Sequence, residues 1–386
     1  MKMRGLAWLL GLAVCGAAAA QTPLKVGMVV EMSGQQAEYG LQMTNGAKLY
    51  LHEHGDVVAG RRIQLVVKDV GGPNPEVAKR LAQELIVRDK VEFLAGFGFS
   101  PNALAVAPLA TEAKIPMVVM NAASSSITTK SPYIVRSSMT LAQTAFGIAD
   151  WALKNDIKTV YSLYADYAPG QDANQQFRKT FTGGGGRIVG EVAVPLKSPE
   201  FGPYMQRIKD ARPDAVFMWF PSGELSRVML RAYRERGLDK AGIRAISTSD
   251  LTDDMFLNAM GDDVVGLVTA GHYSMIHDSP RNKAFVQGYQ SLYGTSIRPD
   301  FMAAAGYDGM ALIVEAVRRL NGRVDGDGAI AAMKGMKLDS PRGPISIDPE
   351  TRDIVQTIYI RRVEKRGNEL YNVEFAQIPD VKDPGK

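Results

Sequence analysis

Short runs of β-branched and other apolar residues alternate with stretches in which apolar positions recur every three or four residues. Residues 25–30 (KVGMVV), 63–68, 91–95 and 117–120 read as strands. Between them Val77, Ala78, Leu81, Ala82 and Leu85 keep helical spacing, and residues 103–113 continue it. This alternation predicts a parallel sheet covered by helices on both faces. A second series starts at residues 159–164 and repeats at 187–194, 215–219, 243–248 and 266–270. Its clearest helix spans 224–236, where Leu225, Val228, Met229, Ala232 and Tyr233 share one face, charged residues take another, and Gly237 supplies the stop. Helices are expected at 279–293 and 301–320, then strands at 343–347, 354–363 and 370–378. Two similar α/β series mean two doubly wound lobes. The chain's last third completes both of them, the helices joining the first lobe and the strands the second.

The first twenty residues change the picture of where the chain works. Lys2 and Arg4 precede an apolar run ending in Ala17-Ala-Ala-Ala20, the pattern of a secretory signal peptide cleaved near Ala20. A membrane anchor would need roughly 20 apolar residues, and the run from Leu6 to Ala20 is shorter. Acylation of Cys15 is the alternative, against which Val14 is a poor preceding residue. Cleavage after Ala20 would remove the only cysteine, and with it any disulfide, thiolate nucleophile or cysteine metal site.

Loss of Lys2 and Arg4 takes the basic count from 45 to 43 against 41 acidic residues, a net charge near +2. No basic stripe follows, so nucleic acid is not an expected partner. Enzyme signatures fail too. Gly96-Phe-Gly98 lacks the third glycine of a dinucleotide fingerprint, the run Gly183-Gly-Gly-Gly186 lacks the Gly-Lys-Ser/Thr of a phosphate loop, and no G-x-S-x-G elbow occurs. His52 and His54, two residues apart, cannot share a helical face to hold a metal. No catalytic residue, metal or cofactor is expected.

Loops at the carboxyl ends of parallel strands are where such sheets bind ligands. Gly96-Phe-Gly-Phe-Ser-Pro-Asn102 and Asn121-Ala-Ala-Ser-Ser-Ser126 follow adjacent strands. Each puts hydroxyls and backbone N–H groups before a helix or turn, an arrangement that holds anions. Capping is the plainer role of Ser100 or Ser124 taken alone.

The chain resembles the branched-chain amino-acid (Leu/Ile/Val) substrate-binding proteins of ABC transporters, of type I periplasmic binding protein fold. The residues carrying the resemblance are Lys25-Val-Gly27, Glu38-Tyr39-Gly40, Gly46-Ala47, Gly96 to Ser100, Ile115-Pro116, Ala122-Ala123-Ser124, Gly261-Asp262 and Gly266, in that order over nearly the whole chain. It implies two Rossmann-like lobes joined by three crossovers, with residues 21–141 and 272–346 in lobe one and 142–271 and 347–386 in lobe two. It implies that Ser100, Ala122, Ala123 and Ser124 hold the ligand from lobe one, that Tyr39 and Tyr167 reach into the pocket, and that Asp250 stands where relatives carry the acid for an ammonium group. Trp219-Phe-Pro-Ser222 replaces a tyrosine-rich loop, so Trp219 and Ser222 join the candidate set, and such an aromatic wall suits a flat apolar body. The expected protein is a monomeric periplasmic binder, handing one small carboxylate-bearing molecule to ABC-transporter membrane subunits. An amino acid, an aromatic or other organic acid, or an amide remain open as ligands, and a same-fold sensor remains open as a role.

Overall fold

The computed structural model describes residues 22–197 and 199–386; the expected export signal at 1–20, with Cys15, lies outside the described residues. Strand β1 (Leu24–Val30) is buried on both faces along almost its whole length, as a parallel strand covered by helices on two sides must be. With β2 (Val57–Val58), β3 (Arg61–Asp69), β4 (Phe93–Gly96), β5 (Met117–Val119) and β6 (Ile134–Arg136) it forms a six-stranded sheet in the order β2-β3-β1-β4-β5-β6. Only the short β2 runs antiparallel to its neighbour. Helices α1 (Ala37–His54), α2 (Pro75–Glu84) and α3 (Ser100–Glu112) connect these strands.

The chain then passes to a second sheet through α4 (Leu141–Lys154), whose Gly147 packs against Ala270 and Ile358 of that sheet. Strands β7 (Thr159–Ala165), β8 (Arg187–Val194), β9 (Ala215–Trp219), β10 (Arg244–Thr248) and β11 (Val268–Gly271) are parallel in the order β11-β10-β9-β7-β8. Helices α5 (Ala168–Gly183), α6 (Phe201–Ala211) and α7 (Glu224–Glu235) link β7 to β10. After β11 the chain returns through α8 (Pro280–Tyr293), α9 (Phe301–Arg319) and α10 (Gly326–Met333). α9 lies against α1 so closely that a Cβ on Gly46 would stand 1.9 Å from the Ala303 carbonyl oxygen, and one on Gly306 would stand 2.1 Å from that of Met43. Only glycine permits that approach.

Strands β12 (Lys337–Ser340), β13 (Gly343–Ile347), β14 (Ile354–Arg366) and β15 (Glu369–Val381) extend the second sheet, β14 pairing antiparallel with β11 and β15. Residues 337–346, expected with lobe one, pair with this sheet through β13 and β14. The result is two doubly wound α/β lobes, the expected fold class. No helix of the described residues is long and apolar enough to cross a membrane.

Candidate functional site

Six loops at the carboxyl ends of parallel strands converge between the two sheets around a small cavity of about 30 Å³. From the first sheet, the loops after β1, β4 and β5 bring Tyr39, Phe99, Ser100, Asn121 and Ala123 to its wall. From the second, the ends of β7, β9 and β10 bring Tyr167, Trp219 and Asp250.

The first-sheet side is built of neutral donors. The chain leaves β4 through Gly96 and Phe97, both at positive φ (97° and 67°), an unusual backbone for a phenylalanine. That turn delivers Ser100 as the first residue of α3, where backbone N–H groups lack helical partners. The Ser100 hydroxyl accepts the Ser124 N–H at 3.1 Å, which leaves its own proton free to donate. Arg136, fully buried, donates to the carbonyls of Ala122 (2.5 Å) and Ser124 (2.6 Å) and to Asp353 (2.8 Å). In a trans peptide the N–H points opposite to the carbonyl, so with the Ala122 carbonyl turned to Arg136 the Ala123 N–H faces the other way. Asn121 donates to the Gly98 carbonyl at 2.9 Å and keeps a buried, unpartnered Oδ1.

Beneath this loop lies Glu31. A Cβ on Gly98 would stand 2.1 Å from its Oε2, so the glycine is what lets a carboxyl pack there. Burial pushes the Glu31 pKa up to about 8, against hydrogen bonds from Asn102 and backbone N–H groups.

The second-sheet side is aromatic and acidic. Tyr167 packs on Trp219 with ring centres 5.7 Å apart, and facing them Tyr39 stacks on Phe99 at 5.3 Å. The Trp219 indole N–H is buried without a hydrogen-bond partner among the described residues. Asp250 accepts from the Thr248 hydroxyl at 2.7 Å. Burial pushes its carboxyl above the usual range, against that hydroxyl and the nearby Trp219 indole. No lysine, arginine or histidine is among the residues lining the cavity.

Of the candidates read from sequence, Tyr39, Ser100, Ala123, Tyr167, Trp219 and Asp250 meet at this cavity. Ala122, Ser124 and Ser222 stand behind it: the Ala122 carbonyl serves Arg136, the Ser124 hydroxyl donates to Asp172 at 2.5 Å, and the Ser222 hydroxyl donates to Asp253. The sequence reading missed Phe99 and Asn121, although both lie inside loops it singled out. It also missed Glu31, Arg136 and Asp172, whose partners are distant in sequence.

Residues 23–368 match the family model described as periplasmic binding protein. Over 386 residues the chain is 41% identical to Leu/Ile/Val-binding protein homolog 6 of Brucella melitensis, covering 100% of this chain and 99% of that one. A solute-binding protein of an ABC transporter from Rhodopseudomonas palustris BisB5, solved with 3,4-dihydroxybenzoic acid, is 56% identical with a TM-score of 0.90, covering 94% of this chain and 99% of that one. A second from R. palustris, solved with 4-hydroxybenzoate, is 44% identical with a TM-score of 0.91, covering 95% and 99%. With two doubly wound lobes and a cleft between their strand ends, the chain belongs to the periplasmic binding protein family, as a substrate-binding protein of the Leu/Ile/Val type that serves ABC transporters.

Proposed function

We propose that the chain captures a benzoate-class aromatic carboxylic acid in its cleft and delivers it to the membrane subunits of an ABC importer. One observation carries the reading: two aromatic pairs, Tyr39 with Phe99 and Tyr167 with Trp219, line a cavity that has no cationic side chain. A flat ring packs well between such walls. Its carboxylate would be held by the Ser100 hydroxyl and the amides at the start of α3 and at Ala123, the way helix N-termini hold anions. The ligands of the two Rhodopseudomonas relatives support an aromatic acid over an amino acid. An ammonium group would find Asp250, but also the unpartnered N–H of Trp219 beside it, a donor facing a donor. Export by a signal at residues 1–20 and release by membrane subunits that recognise the closed form complete the reading. The protein holds its ligand and does no chemistry on it.

A thermal-shift screen with benzoate, hydroxybenzoates, leucine, phenylalanine and dicarboxylates tests it. A ligand at 100 times its Kd adds about 2.7 kcal/mol of stability, enough for a clear rise in Tm. The aromatic acids are expected to give that rise and leucine none. A response to leucine with silence from every aromatic acid would overturn the reading.

A further inference from the structure

We infer that the second-sheet end of the cavity reads a hydroxyl group on the ligand's ring, with Asp250 accepting its proton and the Trp219 N–H donating to its oxygen. The inference rests on the aromatic-carboxylate reading and adds to it which ring substituent is selected and by which residues. Three features of the site support it. Trp219 is 2% exposed, and its indole N–H has no acceptor among the described residues; a buried donor left unpaired is costly until something supplies an acceptor. Asp250 has one oxygen engaged by Thr248 at 2.7 Å, and the Trp219 indole comes near its carboxyl without reaching hydrogen-bond geometry. Both residues line the cavity, and the indole is near enough to Asp250 to hold its carboxyl down against the effect of burial.

A donor and an acceptor side by side are complementary to few groups. A second carboxylate brings only acceptors and meets the acid of Asp250. An ammonium brings only donors and meets the N–H of Trp219. A hydroxyl brings one donor and two acceptor lone pairs, and satisfies both residues. The ligand carboxylate is thereby turned towards Ser100 and Ala123, where there are donors and where the nearby acids are set back, Glu31 behind Gly98 and Asp172 on the Ser124 hydroxyl. A ring acid bearing a hydroxyl away from its carboxylate presents the right group at each end.

Calorimetry of the full protein, wild type, Trp219→Phe and Asp250→Ala, against benzoate, 3-hydroxybenzoate and 4-hydroxybenzoate tests this. Wild type is expected to bind the better hydroxybenzoate at least about 10-fold more tightly than benzoate, the equivalent of about 1.4 kcal/mol. Each substitution is expected to cut that preference below about 3-fold by weakening the hydroxybenzoate more than benzoate, and the Tm of each unliganded variant reports that it is folded. Should ordered water fill the site instead, benzoate will match the hydroxybenzoates in wild type, and the inference falls while the aromatic-acid reading stands. Survival of the preference in either variant also overturns it. If neither benzoate nor the hydroxybenzoates bind the wild-type protein, both readings fall together.

Discussion

The phenol of Tyr39 donates to the carbonyl oxygen of Ser222 at 3.1 Å, joining the start of α1 to the loop after β9 across the cleft. The two residues are 183 positions apart and belong to different lobes, so the bond needs the lobes closed on one another. A neutral hydrogen bond contributes a net 0.5–1.5 kcal/mol or so. Tyr39→Phe removes it and keeps the ring on Phe99. Ligand affinity is expected to drop about 2- to 13-fold, because the closed form that completes the contacts becomes less populated. Calorimetry with small-angle scattering measures both parts; unchanged affinity and compaction would show that closure does not use this bond.

Ser100 and Ser124 are alike in sequence and differ in what they touch. Asp172, at the start of α5, accepts from the Ser124 hydroxyl at 2.5 Å and from the Ser125 N–H at 3.2 Å, which makes Ser124 part of a contact between the lobes. Ser100 faces the cavity with a free proton. Ser100→Ala is expected to weaken an aromatic acid roughly 10- to 100-fold, the loss of a charge-assisted bond. Ser124→Ala and Asp172→Asn are expected to weaken it only a few-fold each, and less than additively when combined, since both delete one contact. Strict additivity in that cycle would sink the interlobe assignment.

Legibility in the sequence followed periodicity. Parallel strands stood out as β-branched runs, and α7 as a sharp amphipathic stripe. The hairpin of β14 and β15 was read shorter than its 13 residues per strand because its tip, Lys365 to Glu369, is polar and solvated, so the apolar signal ended before the pairing did. β12 defied sheet assignment for a related reason: four residues, two of them exposed charges, carry no alternation to reveal their neighbour. At the site, the rule that ligands bind at strand carboxyl ends led to loops that meet at the cavity. Orientation within a loop has no period, however, and nothing in Ala122-Ala-Ser124 says that two carbonyls are turned to Arg136 twelve or more residues away.

Glu31 couples the site to pH. Its pKa, near 4.5 in an unfolded chain, is pushed by burial up to about 8 in the folded protein. Between those values the folded state keeps a proton that the unfolded chain has released. The stabilising contribution is therefore full below pH 4.5 and is lost as pH rises towards 8. Glu31→Gln keeps the shape and cannot ionise, so the fall of Tm between pH 5 and 8 is expected to become shallower and Tm at pH 8 to exceed wild type. Some slope persists, because burial also raises Asp250, Asp254 and Asp308. Parallel Tm profiles for the two proteins would remove Glu31 from the account.

Arg136 is the buried charge on which the first-sheet loop depends. Its guanidinium spans the carbonyls of Ala122 and Ser124, that of Met139 at 3.3 Å, and Asp353 at 2.8 Å. Arg136→Met leaves Asp353, among the described residues, with Thr128 and Lys386 as partners, and strips the buried carbonyls of Ala122, Ser124 and Met139 of their donor, each buried acceptor left unpaired costing about 1–3 kcal/mol. Urea denaturation is expected to show that loss. A second consequence concerns binding, because carbonyls without a donor are free to turn, and a turned Ala122–Ala123 peptide takes the Ala123 N–H away from the cavity. Arg136→Lys distinguishes the two effects: a single ammonium can answer Asp353 but cannot reproduce the planar fork that reaches three carbonyls. The lysine variant is therefore expected to recover much of the stability while its affinity for an aromatic acid stays reduced. If affinity returns with stability, Arg136 supports the fold alone and the loop amides are set by other contacts.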